Sequence, residues 1–278
     1  MKKIFTKIAQ ITIAAIVAVV ILYPVYQILI LALLPHDEIV SYIAQVNDPA
    51  TGFIPRYFLP RAFSLEQFRL PDERFFRALY VSVVYTGAIT VLQFFFAFVI
   101  GFVFAKVKFP GREILFFLFL AAMVLPFHVT LVPMHQILHG LELFNTPWAV
   151  ILPAVFSPLG VFLFRQFISQ VPDEVLEAAA IDGAGLFRIM RSIILPMVKN
   201  GAAVFFLLTT AMQWSAIEAA LSFIRTDNLR PVSLLLREKM SDPATIFAPG
   251  VIYMLPMLVV YVLLMNKIGE ESYPNTQK

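Results

Sequence analysis

Apolar residues run through this chain in long blocks that short clusters of charge divide. Six blocks are almost free of Asp, Glu, Lys and Arg: Ile8 to Pro35, Ala78 to Ala105, Ile114 to Leu141, Leu143 to Phe164, Asn200 to Glu218 with a continuation to Ile224, and Pro243 to Asn266. A helix needs about 20 apolar residues to cross a bilayer. The pattern therefore predicts six spanning helices, with both termini on one side. The first block follows Lys2, Lys3 and Lys7 and is too long for the apolar core of a signal peptide, so it reads as an uncleaved first helix over residues 1–35. Residues 36–75 form a loop punctuated by Pro49, Gly52, Pro55, Pro60 and Pro71, with an amphipathic turn or short helix at Ala62 to Phe68. Arg74-Phe-Phe-Arg-Ala-Leu then opens the second span, and five helices follow over residues 76–266, leaving a short tail at 267–278.

One polar stretch, Val171 to Pro196, breaks the apolar pattern between the fourth and fifth spans. Pro172 suits the first position of a helix, where its missing N–H is no loss. Asp173 and Glu174 fall in the first turn, which favours carboxylates. Glu177 is followed by three alanines, the strongest helix formers, whose small side chains let a partner approach the backbone. Asp182-Gly183 is a helix stop, because glycine takes left-handed angles without strain. Leu186, Phe187, Ile189, Met190, Ile193 and Ile194 then restart a helical period, with Arg188 and Arg191 on another face. Pro196 marks a bend into the fifth span. The stretch predicts a short helix, a glycine turn and a second helix at the membrane surface.

Composition agrees with a membrane protein: 60% of the 278 residues are hydrophobic and mean hydropathy is +0.82, against roughly 45–50% apolar residues in soluble domains. There is no cysteine, which excludes disulfides and thiol chemistry. The net charge of +3 is too small to point to nucleic acid. Lys and Arg counted by loop favour a cytoplasmic N-terminus, twelve inside against nine outside. The outer group is diluted by its long loop, whereas Lys2, Lys3, Lys7, Lys106, Lys108 and Arg112 crowd helix ends, where the bias counts most. The reading is a multi-pass protein with both termini and the 165–199 loop in the cytoplasm.

The polar stretch resembles the signature loop of permease subunits from binding-protein-dependent ABC importers. Glu177-Ala178-Ala179, Gly183, Ile193, Leu195 and Pro196 stand at the places of the family's Glu-Ala-Ala, Gly, Ile and Leu-Pro. The flanking Ile181-Asp182-Gly183-Ala184 looks like the carbohydrate branch, of MalG type. The resemblance runs from about Phe75 to Tyr261. It implies an all-α membrane protein with six transmembrane helices and the MetI-like fold of type I importer permeases, in a bacterial or archaeal cell membrane. It also implies a second, similar permease, two ATP-binding subunits and an extracytoplasmic solute-binding protein as partners. In that reading Glu174, Glu177, Ala178, Ala179, Asp182, Gly183, Ala184 and Arg188 couple the chain to the ATPase. ATP and Mg would sit on that subunit, and this chain binds no cofactor and catalyses nothing. The chain has no Gly-x-x-x-x-Gly-Lys-Ser/Thr phosphate loop, no Gly-x-Ser-x-Gly and no His-Glu-x-x-His. It departs from the family at Trp214-Ser-Ala-Ile-Glu218, where Trp-Asn is usual, and in a tail without the family's glycines. Asn228-Leu-Arg-Pro-Val-Ser resembles the family's external Leu-Pro-Val-Gly segment.

Polar groups within a bilayer face a cavity or the bundle interior. Gln93, Thr209, Thr210, Gln213 and Glu218 are of this kind, and Gln213, Trp214 and Glu218 are candidates for a solute path. His128, His135 and His139 share a helical spacing, but no carboxylate completes a metal shell, so they read as histidines at helix kinks or the interface. Pro126, Pro133, Pro153 and Pro158 predict kinks, and Phe94-Phe-Phe and Phe116-Phe-Leu-Phe predict packing and lipid-facing surface. A secondary transporter or channel is the competing reading. It expects more intramembrane charge and a repeated half, and the sequence has one such acid, Glu218, and no repeat.

Overall fold

A computed structural model describes residues 2–48, 62–69, 71–239 and 242–272. Regular structure among them is helical throughout. In chain order the helices are α1 (Lys2–Ala32), α2 (His36–Asn47), α3 (Glu73–Lys106), α4 (Arg112–Ala121), α5 (Phe127–Gly140), α6 (Pro147–Val155), α7 (Pro158–Ser169), α8 (Asp173–Ile181), α9 (Leu186–Ile189), α10 (Leu195–Met197), α11 (Lys199–Ser215), α12 (Glu218–Phe223), α13 (Val232–Lys239) and α14 (Phe247–Ser272). A π-helical turn, Met190–Ile194, joins α9 to α10.

Four segments are long and apolar enough to cross a membrane: Thr6–Ala32, Glu73–Lys106, Pro147–Ser169 and Phe247–Met265. Two bent pairs bring the number to six if each counts as one span. Arg112–Val124 and Phe127–Gly140 meet at 99°, and Leu186–Met197 and Lys199–Ser215 meet at 81°. The first bend falls at Pro126. The residue before it, Leu125, is extended (φ −68°, ψ 120°), because proline's ring excludes the helical region for its predecessor. Pro158 opens α7 with Ser157 as cap, whose Oγ accepts from Gly160 N at 3.1 Å. Pro133 and Pro153 lie inside α5 and α6.

The expected loop at 36–75 differs from the structure at its start, where His36–Asn47 is a helix, while a short 3₁₀ turn at Glu66–Arg69 falls by the turn or short helix expected at Ala62 to Phe68. Pro49, Gly52, Pro55 and Pro60 lie outside the described residues, as does the tail from 273. The fifth span ends at Ser215 and does not run on to Ile224: the chain is extended at Ala216, and α12 begins at Glu218.

The chain forms two compact units. The smaller is Met1–Phe76 with Leu235–Leu255; the larger is Arg77–Leu234 with Pro256–Lys278. In the smaller, Leu31, Leu34, Ile39 and Ala244 are buried together. In the larger, a phenylalanine-rich core gathers Phe98, Phe102, Phe116, Phe164 and Phe205 with Val161, Ile168, Ile189 and Ile194. Phe94 stacks on Phe206 at 4.8 Å and meets Phe164 edge-on at 5.5 Å. The aromatic runs divide between core and surface: Phe116 is buried, whereas Phe95 and Phe117 are exposed. Close packing depends on glycines. A Cβ on Gly101 would lie 2.6 Å from Phe164 Cβ, and one on Gly160 would lie 2.7 Å from the Phe205 ring.

Candidate functional site

The polar stretch forms a helix, a glycine turn and a second helical run. α8 begins one residue later than the sequence implies: Pro172 is the extended residue before it (φ −61°, ψ 138°) and not its first helical residue. The helix ends at Gly183, with φ +77°. Ala184 N donates to Ala179 O at 2.9 Å and Gly183 N to Ala180 O at 3.0 Å. This pair of bonds closes a helix end around a left-handed glycine and satisfies carbonyls that the helix leaves open. Ala179 and Ala184, joined by that turn, are half-buried against the phenylalanine-rich core.

Glu174, Glu177, Ala178, Asp182, Gly183 and Arg188 are exposed. The turn therefore sorts the expected coupling residues: Ala179 and Ala184 face the bundle, and the others face outward. Beyond the turn the apolar run also divides. Ile189 and Ile194 are buried, while Leu186 and Phe187 are exposed, as is Ile181 at the end of α8. Helical periodicity in the sequence groups these side chains without showing which of them the core takes. The π turn carries no sequence signal of its own.

Two ion contacts fix this end of the larger unit. Lys106, at the end of α3, has its ammonium 2.5 Å from Val171 O and 2.6 Å from Asp173 Oδ1. Only 9% of the Lys106 side chain is exposed. The Lys106 hydrogen bond, and then its charge, hold the Asp173 carboxyl below the ordinary carboxylate value. Arg165, near the end of α7, donates to both carboxylate oxygens of Glu113 at 2.8 and 2.7 Å and lies 3.9 Å from the centroid of the Phe116 ring. Both contacts join helix ends far apart in sequence, α3 to the start of α8 and α7 to the start of α4.

Gln213 and Trp214 meet in a cavity of about 50 Å³ with Ser82, Tyr85 and Thr86. Trp214 also borders a larger apolar groove of about 510 Å³, together with Thr86, Thr90, Phe206, Thr210 and residues of α14 from Pro256. Glu218 is in neither lining. It is exposed at the head of α12, where its carboxylate accepts from Ile217 N at 3.2 Å. Gln93 is buried and donates to Ala154 O, a helix–helix bond between α3 and α6. The segment after α12 is tied to α3: Val232 N donates to Ser82 Oγ at 2.8 Å, and Tyr85 Oη donates to Leu229 O at 3.0 Å. His135 and His139 pack on Phe144, and His128 lies against Phe127.

A family profile described as "Binding-protein-dependent transport system inner membrane component" matches residues 97–269. The chain is 27% identical over 257 residues to the arabinooligosaccharides transport system permease protein AraQ of Halalkalibacterium halodurans, covering 91% of this chain and 89% of that one. It is 26% identical over 258 residues to the sn-glycerol-3-phosphate transport system permease protein UgpE of Brucella suis, covering 89% of each. Its fold is similar to a chain of a bacterial ABC transporter involved in the import of the acidic polysaccharide alginate, with a TM-score of 0.79, 18% identity, and 96% and 97% of the two chains covered.

Proposed function

We infer how this chain works from one premise: it belongs to the binding-protein-dependent transport system inner membrane component family, the permease subunits of ABC importers. It spans the membrane several times and moves a solute. We propose that the solute is a sugar, an oligosaccharide or a polyol, phosphorylated polyols included, delivered by an extracytoplasmic binding protein. The names of the relatives support that class. A second permease completes the pathway, and two ATP-binding subunits supply the energy, with ATP and Mg on them.

The single observation that carries the coupling role is the turn at Gly183. It presents the exposed face of α8 while its Ala179 and Ala184 rest on the core that also takes Phe164 and Phe205. In this reading the ATP-binding subunit grips Glu174, Glu177, Ala178, Asp182 and Arg188 from the cytoplasm. Both termini and the 165–199 loop are on that side. A pull on α8 passes through Ala179 and Ala184 into α7 and α11, and the bundle alternates between outward and inward access. Gln213 and Trp214 border the path, and Glu218 stands at its outer approach.

The test is reconstitution of the four-subunit assembly in proteoliposomes with a binding protein. Uptake of labelled sugar that requires ATP and the binding protein is expected. Uptake at the same rate without the ATP-binding subunits would overturn the reading.

A further inference from the structure

We propose that Ile181, Leu186 and Phe187 are the apolar anchors by which this chain holds its ATP-binding subunit. The proposal rests on the coupling role above and extends it to three residues outside the signature. Ile181 is 86% exposed, Leu186 67% and Phe187 73%. They flank Gly183: Ile181 ends α8, and Leu186 and Phe187 open α9.

Their exposure follows from the turn. The bond from Ala184 to Ala179 holds these two alanines against the core. Further along, Ile189 and Ile194 fill the core from the second helical run, at 5% and 0% exposure. The inward positions are thus occupied, and the larger side chains beside them are left outside.

Lipid is not their cover. Glu174, Glu177, Asp182, Arg188 and Arg191 are exposed on the same segment, and charge of that density belongs in water. Large apolar side chains clustered in water mark a binding surface. Protein interfaces place aromatic and aliphatic anchors at the centre and charge at the rim. Here the centre is Ile181, Leu186 and Phe187. Glu174, Glu177 and Asp182 form the rim on the α8 side, and Arg188 and Arg191 form it on the other. The partner surface that fits is a groove with an apolar floor, basic toward α8 and acidic toward α9. The alanines of the signature, by contrast, offer close approach and little area.

The experiment titrates the purified ATP-binding subunit onto the permease pair held in nanodiscs and reads the Kd. Ile181→Ser and Phe187→Ser are each expected to weaken binding about tenfold, and Phe187→Leu to restore most of it. Thermal unfolding of the permease pair should be unchanged, since these side chains touch no core. Wild-type affinity in both serine variants, with binding lost in Gly183→Asp, overturns the anchor assignment and leaves the coupling role standing. No binding by the wild type overturns both. Weakening by Phe187→Leu equal to that by Phe187→Ser also counts against an apolar anchor.

Discussion

Ala184 N lies 2.9 Å from Ala179 O, and this bond closes α8 around Gly183 at φ +77°. The geometry admits glycine freely and other residues at a cost of roughly 1–2 kcal/mol, more for branched side chains. Nothing lies within 4 Å of a Cβ built on Gly183, so the penalty is backbone strain and not a clash. Gly183→Asp and Gly183→Val should therefore leave the protein inserted in the membrane while slowing ATP-dependent uptake at least tenfold. Membrane content by immunoblot and uptake in proteoliposomes measure the two effects separately. Uptake at the wild-type rate in Gly183→Val would count heavily against the turn as a coupling element.

The start of α8 depends on Lys106. Replacing it with Met removes the ammonium from Val171 O and Asp173. Val171 O then loses its charged donor, and the first turn of α8 loosens. Backbone amides at Leu176 and Glu177, the first that α8 bonds, are expected to exchange roughly threefold to tenfold faster. The sign of the pH dependence follows from Asp173, whose carboxyl is held below its ordinary value of 3.8 by the Lys106 hydrogen bond. Its contribution is present above the unfolded value and is lost as pH falls through the lower folded one. Protection of the wild-type turn should thus persist down through pH 3.8 and fade only below it. In Lys106→Met the dependence on Asp173 should disappear. Hydrogen exchange across an acid series reads both.

Part of this site is legible in the sequence because local rules govern it. Alanines after Glu177, then Asp182-Gly183, are enough for a helix and its stop. The Lys106 clamp is not legible, since its partners lie 65 and 67 residues away. Nor is the division of the apolar run, where Ile189 is buried and Phe187 exposed: periodicity defines faces but not what each face meets. The apolar blocks show in the sequence as helical segments, four of them long enough to span, yet proline content alone does not distinguish Pro126, where the chain bends by 99°, from Pro133, which α5 absorbs. α2 is not legible in the sequence, because its twelve residues sit beside a proline- and glycine-rich segment.

Glycine packing gives a graded prediction. A Cβ at Gly101 meets Phe164 Cβ at 2.6 Å and Arg165 N at 3.1 Å, atoms fixed to the α7 backbone. One at Gly201 has the Phe167 side chain as its nearest neighbour, which a rotamer change can move. Gly101→Ala should destabilise the permease by about 1–3 kcal/mol, as overpacked cores do, and Gly201→Ala by less. Thermal unfolding in detergent ranks the two, and the reverse order would show that α7 yields more readily than its phenylalanine.

Gln213 and Trp214 share one cavity, whereas Glu218 stands apart on α12. A residue that borders the path should change the solute dependence of uptake without changing how the ATP-binding subunit is held. Trp214→Ala removes an indole that is only 5% exposed and joins the 50 Å³ cavity to the 510 Å³ groove beside it. KM for uptake is expected to shift severalfold in Trp214→Ala and Gln213→Ala, while Kd for the ATP-binding subunit stays at the wild-type value. Glu218→Ala, outside that cavity, should lower uptake with a smaller change in KM. If KM is unmoved in all three variants, these residues serve helix packing alone, and the solute must pass along another face of the bundle.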